Sequence, residues 1–119
     1  MDAASTYKET SVSTQNKGRL IVMLYDGAIK FMNLAIKELE AKNYEAKGRY
    51  IGRAQSIIDE LNSVLDMEAG GEIAQNLRKL YNFMHRRLSE ANTKRDPQMI
   101  RDVIAIIQEL NQGWKTITG

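Results

Sequence analysis

The chain has 119 residues and a mass of 13.5 kDa, the size of one domain, and folding a chain of this length buries roughly two-thirds of its unfolded surface. With 43% hydrophobic and 27% charged residues, the composition is that of a soluble globular protein rather than a disordered tail. The absence of cysteine excludes a disulfide framework, a thiolate metal site and a cysteine nucleophile, and it suits a reducing compartment such as the cytoplasm.

The charge balance gives little reason to expect nucleic acid as a partner. Lys and Arg number 17 against 15 Asp and Glu, a net charge of +2. Residues 72–95 are locally basic, which fits a solvated helix face, an acidic partner segment or nucleic acid. No run of about 18 apolar residues is present, and the first dozen residues are polar, so we expect neither membrane insertion nor a secretory signal.

Residues 1–15 are rich in Ser, Thr and Gln and have no helical period, which predicts a flexible N-terminal arm. After the arm, apolar residues recur at spacings of three and four in four successive segments. This pattern predicts helices over residues 17–41, 44–65, 72–91 and 97–117.

Local signals mark the ends of these helices. Asn43 and Asp96 are favourable N-caps, Pro97 suits a first helical position, and the Gly70-Gly71 pair favours a turn. Because the connections are short, sequential helices should be antiparallel neighbours. The sequence therefore predicts an all-α fold, an antiparallel up-down four-helix bundle over residues 16–119 behind the flexible arm.

The helix faces suggest which residues form the core. We predict core stripes in the second, third and fourth helices, comprising Tyr50, Ala54, Ile57, Leu61 and Val64; Ile73, Leu77, Leu80, Tyr81, Met84, Leu88 and Ala91; and Met99, Ile100, Val103, Ile106, Ile107, Leu110, Trp114 and Ile117. The first helix is apolar over most of its circumference, so the arm, a second copy of the chain or a partner polypeptide should cover it.

Several apolar residues fall beside these stripes. Ile51 and Ile58 are expected on the flank of the second helix and Ile104 off the stripe of the fourth, while Met23 and Leu34 belong to the broad apolar surface of the first. Apolar helix edges can line a groove that takes an amphipathic helix, although they can equally bury a homodimer interface.

Catalytic chemistry is hard to find in this sequence. His85 is the single histidine, and Asn82 stands where a di-metal bundle would need Glu three residues before it. No glycine-rich phosphate loop or nucleophile elbow is present, so we expect no catalytic residue, metal or cofactor. One rival hypothesis is a histidine phosphotransfer domain using His85 with Arg86 and Arg87, although the Lys-Gly pair usual after such a histidine is missing.

Three motifs in order carry a resemblance to a known family. They are Tyr-x4-Val at Tyr7 and Val12, MLYDGA at residues 23–28, and GGxIAxNLxxLY at residues 70–81. Together they resemble the flagellar secretion chaperone family over nearly the whole chain. One departure is the stretch 15–18, Gln-Asn-Lys-Gly, where the family often has a proline before the first helix.

The resemblance implies a cytoplasmic chaperone that binds the disordered C-terminal segment of flagellin, prevents premature polymerisation and assists delivery to the membrane-embedded export gate. It also implies that the arm lies near the binding surface and moves when flagellin arrives, and that Tyr7 docks the loaded chaperone on the gate. The resemblance contributes Tyr7 to the predicted partner-binding residues. The apolar faces contribute the others, which are Val12, Met23, Leu34, Ile51, Ile58 and Ile104. The alternative is a structural bundle that associates with itself, for instance as a homodimer.

Overall fold

Four helices make up the part of the chain that the structure describes. The computed structural model describes the backbone of residues 3–118 and the side chains of residues 17–116. The helices are α1 (Ala3–Glu40), α2 (Tyr44–Ser63), α3 (Gly71–Lys94) and α4 (Pro97–Thr118), with no strand between residues 3 and 118. Helices α1 and α3 each pack against α2 and α4, so the predicted antiparallel up-down bundle is confirmed.

Helix α1 starts well before the predicted position near Lys17. It has 38 residues and begins at Ala3, so it is about 57 Å long at 1.5 Å per residue, whereas α2 to α4 have 20 to 24 residues. No Gly or Pro occurs between residues 3 and 16, so nothing local ends the helix there. The division into an arm and a bundle stays a prediction, and the side chains of Tyr7 and Val12 lie outside the described residues.

The predicted start of α4 is confirmed in detail, and that of α2 only in position. Asp96 Oδ1 accepts a hydrogen bond of 2.9 Å from the Gln98 N–H, one of the donors that a helix start leaves free. Asn43 stands at the N-cap of α2, but its side chain makes no capping bond. Its Nδ2 donates instead to Glu38 Oε2 at 2.7 Å, tying the connection to the end of α1.

The core of the bundle corrects the predicted rotation of α2. Ile51 and Ile58 are fully buried and Ile104 is 7% exposed, so their assignment to accessible edges is wrong. Tyr50 and Ile57, which we predicted to be core, are only partly buried. Both sets of residues are apolar and recur at sevens, so periodicity alone does not select between them.

Polar contacts between α2 and α3 accompany this rotation. Gln55 Nε2 donates to Ser89 Oγ at 2.7 Å and to the His85 carbonyl at 3.1 Å, and Asn62 Nδ2 donates to Asn82 Oδ1 at 2.9 Å. These bonds place the Gln55 and Asn62 side of α2 against α3. Ile51 and Ile58 then point to the centre of the bundle.

Candidate functional site

An apolar groove opens at the end of the bundle where α3 begins and α4 ends. One cavity of about 470 Å³ lies between α1, the α2–α3 connection, α3 and α4, and a second of about 330 Å³ lies between α3 and α4. Both are lined by Ile73, Leu77 and Trp114, so they form one continuous depression, which we call the end groove. The remaining lining residues are Lys17, Gly18, Ile21, Val64, Leu65, Asp66, Gly70, Ala74, Glu109, Leu110 and Gly113.

The tight connection between α2 and α3 leaves this groove open. Gly70 donates its N–H to the Asp66 carbonyl at 2.8 Å, and a Cβ at Gly70 would stand 2.6 Å from the Ala74 Cβ. Glycine is therefore required there, and Gly71 adopts φ +52°, a conformation that other residues rarely take. The connection turns back so closely that the first turn of α3 stays uncovered, and Ile73, predicted to be core, is 72% exposed.

Beneath the groove lies a hydrogen-bonded aromatic cluster. The hydroxyls of Tyr25 on α1 and Tyr81 on α3 are 2.5 Å apart, and both residues are buried. Trp114, whose indole N–H can only donate, bonds to Tyr25 from the groove wall. Burial raises the pKa of both tyrosines, so both hydroxyls are protonated at neutral pH. The cluster ties the groove wall to the core across α1, α3 and α4.

The next two residues of the MLYDGA motif hold α1 between its neighbours. Asp26 Oδ1 accepts a hydrogen bond of 2.7 Å from Asn111 Nδ2 and lies 3.4 Å from Lys115 Nζ, both on α4. On the other side, a Cβ at Gly27 would lie 3.2 Å from Ile57 Cδ1, so glycine allows α2 to approach closely. This motif therefore has a packing role in the described structure.

Polar contacts close the opposite end of the bundle. Lys47 is 5% exposed, and its Nζ donates to the carbonyl and to Oδ1 of Asn92 on α3, at 3.1 and 2.5 Å. Burial lowers the pKa of Lys47, and the nearby Arg95 lowers it further. The Arg95 guanidinium lies 3.7 Å from the centre of the Tyr44 ring. The contacts described at this end are therefore mainly polar, in contrast to the apolar lining of the end groove.

Among the side chains that the structure describes, the predicted partner-binding residues are not brought together. Met23 is 68% exposed on the outer side of α1 and does not line the end groove, and Leu34 is partly buried. The groove residues Ile73, Leu77 and Trp114 were all assigned to the core because they fit the helical period. A signal was available, since Ile73 and Trp114 lie in the terminal turns of α3 and α4, where no further layer of the bundle follows.

His85 occupies an ordinary position on the flank of α3. Its Nε2 lies 3.5 Å from Asp59 Oδ1, and its side chain is 39% exposed. Among the described residues, no group of three His, Asp or Glu is placed to hold a metal ion. None of the helices within residues 3–118 combines the length and apolar character that a membrane crossing needs.

The fold and the end groove together define an all-α bundle with an accessible apolar surface at one end. A family model described as "Flagellar protein FliS" matches residues 1–119. The chain is 41% identical over 115 residues to the flagellar secretion chaperone FliS of Vibrio cholerae, covering 93% of this chain and 85% of that protein. It is 38% identical over 122 residues to the flagellar secretion chaperone FliSB of Pseudomonas aeruginosa, covering 99% and 97% of the two chains.

A third relative, FliS of Bacillus subtilis, is 35% identical over 111 residues, covering 93% of this chain and 82% of the relative. The chain therefore belongs to the FliS family of flagellar secretion chaperones. The resemblance drawn from the three sequence motifs is confirmed, and with it a role as an export chaperone.

Proposed function

We propose that this chaperone binds the C-terminal segment of flagellin in the cytoplasm, keeps it from polymerising prematurely and assists its delivery to the flagellar export gate. The observation that carries the proposal is the end groove, an open apolar depression lined by Ile73, Leu77 and Trp114. A segment that is disordered when free and amphipathic when helical can bury its apolar side there.

The size of the groove suits part of a helix rather than a whole partner domain. Its two cavities of about 470 and 330 Å³ accept several apolar side chains in succession. Ordering a disordered segment costs about 2 to 5 kcal/mol of the gross interaction energy, so affinity stays moderate and release remains feasible. A client that must be handed on to an export gate needs such release.

The predicted N-terminal arm precedes the part of α1 that lines the end groove. Residues 1–15 are separated along the chain only by Asn16 from Lys17 and Gly18, which line the groove. If the arm and flagellin compete, only a difference in their affinities shifts the arm away. Deleting residues 1–15 should tighten flagellin binding or leave it unchanged while impairing export, and loss of binding by calorimetry would contradict competition.

The resemblance gives Tyr7 a separate task in docking on the export gate. Tyr7→Ala should therefore reduce the amount of flagellin secreted by cells while the purified variant keeps its affinity for flagellin. Calorimetry on the variant distinguishes the two steps. Weakened flagellin binding would place Tyr7 at the client surface instead.

Calorimetry with a flagellin C-terminal peptide tests the groove directly. Ile73→Glu places a charge in the groove, and Met23→Glu is a matched control on an equally exposed apolar residue outside it. We expect Ile73→Glu to weaken peptide binding at least tenfold, on the order of 1.4 kcal/mol, and Met23→Glu to change it little. The reverse result would move the client to the outer side of α1.

Light scattering separates the chaperone from a self-associating bundle. The chaperone should gain the mass of one peptide per chain, whereas an assembly module should form oligomers that do not bind the peptide.

His85→Ala should keep full peptide binding and export. Loss of export in that variant would favour the phosphotransfer alternative.

A further inference from the structure

A cluster of stacked aromatic and cationic side chains lies on the surface between α1 and α2. The rings of Phe31 and Tyr50 stack with centroids 6.1 Å apart and planes inclined by 22°. Arg53 and Lys30 lie 5.6 and 5.9 Å from the centre of the Phe31 ring, and Arg49 lies 5.6 Å from that of Tyr50. We call these five residues the cation–aromatic face.

Within residues 17–116, no acidic side chain pairs with the three cations of this face. Lys30, Arg49 and Arg53 are exposed, and none forms an ion pair with any carboxylate among residues 17–116. Asp26 lies one helical turn before Lys30, but it faces α4 and pairs with Lys115. A guanidinium that stacks over a ring keeps donor N–H groups free at its edge, and these match the two oxygens of a carboxylate.

We propose that the cation–aromatic face binds an acidic helical segment of a partner polypeptide. Carboxylates of the partner pair with Arg49, Arg53 and Lys30, and an apolar side chain packs along the exposed side of α1. Met23 supplies the apolar contact, because it is 68% exposed and lies two helical turns before Lys30. None of these residues lines the end groove, so this partner and the flagellin segment can be bound together.

The geometry favours protein over nucleic acid. Phe31 and Tyr50 stack on each other and are partly buried, so their faces are not free to stack on bases. The net charge of +2 also provides little long-range attraction for a polyanion. Three exposed cations near the apolar Met23 instead suit a partner segment that carries carboxylates and an apolar side chain.

Fluorescence anisotropy on the full chain tests the proposal. The probe is a labelled helical peptide with Glu on one face and Leu beside it, and its control carries Gln for every Glu. The protein variant is Arg49→Gln/Arg53→Gln, matched by Lys79→Gln/Arg86→Gln, which makes the same charge change at exposed positions of α3.

We expect saturable binding of the Glu peptide that weakens with salt and falls about tenfold in Arg49→Gln/Arg53→Gln, with less than a twofold fall in the α3 control. Equal losses in the two variants, equal binding of the Gln peptide, or no saturable binding would overturn the proposal. The proposal would also be overturned if a single-stranded oligonucleotide bound more tightly than the Glu peptide and lost that binding in Arg49→Gln/Arg53→Gln. Dimerisation detected by light scattering that disappears in the same variant would overturn it as well.

Circular dichroism and flagellin-peptide calorimetry on the same variants separate this proposal from the function of the end groove. Both double variants should keep the helical signal and bind the flagellin peptide like the unmodified chain. Loss of flagellin binding only in Arg49→Gln/Arg53→Gln would overturn the separation of the two surfaces. Failure of the unmodified chain to bind flagellin would refute the groove proposal while leaving the Glu-peptide result intact.

Discussion

The hydroxyl pair of Tyr25 and Tyr81 can be removed one oxygen at a time, and the structure predicts unequal losses. In Tyr81→Phe the Tyr25 oxygen keeps the Trp114 indole N–H as a donor. In Tyr25→Phe the buried Tyr81 hydroxyl and the Trp114 N–H both lose the partner that they share. The second change should therefore cost more free energy of unfolding than the first.

Typical hydrogen-bond energies set the size of the difference. One neutral bond contributes about 1 kcal/mol net, and a buried group left without a partner costs about 1 to 3 kcal/mol. We expect Tyr81→Phe to lower the free energy of unfolding by about 1 kcal/mol and Tyr25→Phe by about 2 to 3 kcal/mol. The double variant should lose less than the sum, because it no longer buries an unpartnered Tyr81 hydroxyl.

Urea unfolding followed by far-ultraviolet circular dichroism measures these losses without relying on Trp114 fluorescence, which the substitutions can change. The m-value should stay constant across the four proteins, so that midpoints report stability alone. The reasoning is refuted if Tyr81→Phe costs as much as Tyr25→Phe, or if the two single losses add in the double variant.

The same pair predicts how stability depends on pH. Burial raises the folded pKa of Tyr81 above its ordinary value of 10.0, so the folded chain holds a proton that the unfolded chain releases. This contribution to stability is complete below pH 10 and is lost as pH rises above it. Tyr81→Phe should therefore show a shallower fall in urea midpoint above about pH 10 than the unmodified chain.

Three further comparisons use matched positions. In urea unfolding, Ile58→Ala should lower the free energy of unfolding by about 2 to 4 kcal/mol, whereas Ile73→Ala should lower it by less than about 1 kcal/mol, because only Ile58 is buried. Similar losses in the two variants would contradict both the observed rotation of α2 and the open groove. Gly52→Ala should raise stability by up to about 1 kcal/mol, since nothing lies within 4 Å, whereas Gly71→Ala should lower it because φ is +52°; thermal melts that shift in the same direction would refute this. Asp96→Ala should lower stability by about 1 kcal/mol through loss of the cap, and Asp96→Asn should recover most of it; an unchanged melting temperature in the Ala variant would show that the cap contributes nothing.

The sequence by itself determined the features that depend on residues close together along the chain. The number of helices, their order and most of their ends follow from local periodicity and caps such as Asp96 before Pro97. The family followed from motifs, which are also local, and the comparison with relatives agrees. The start of α1 at Ala3 was missed, since few apolar residues occur in that segment although nothing breaks the helix.

Tertiary structure decided which apolar residues are core and which are accessible. Both Ile58 and Ile57 fit an apolar stripe, and contacts of α2 with α3 place Ile58 at the centre. Ile73 also fits a stripe, yet it is exposed because the tight connection at Gly70 leaves the end of the bundle uncovered. Whether a residue is buried depends on the side chains that other helices place around it. The apolar period of one helix does not show which of its apolar residues those helices cover.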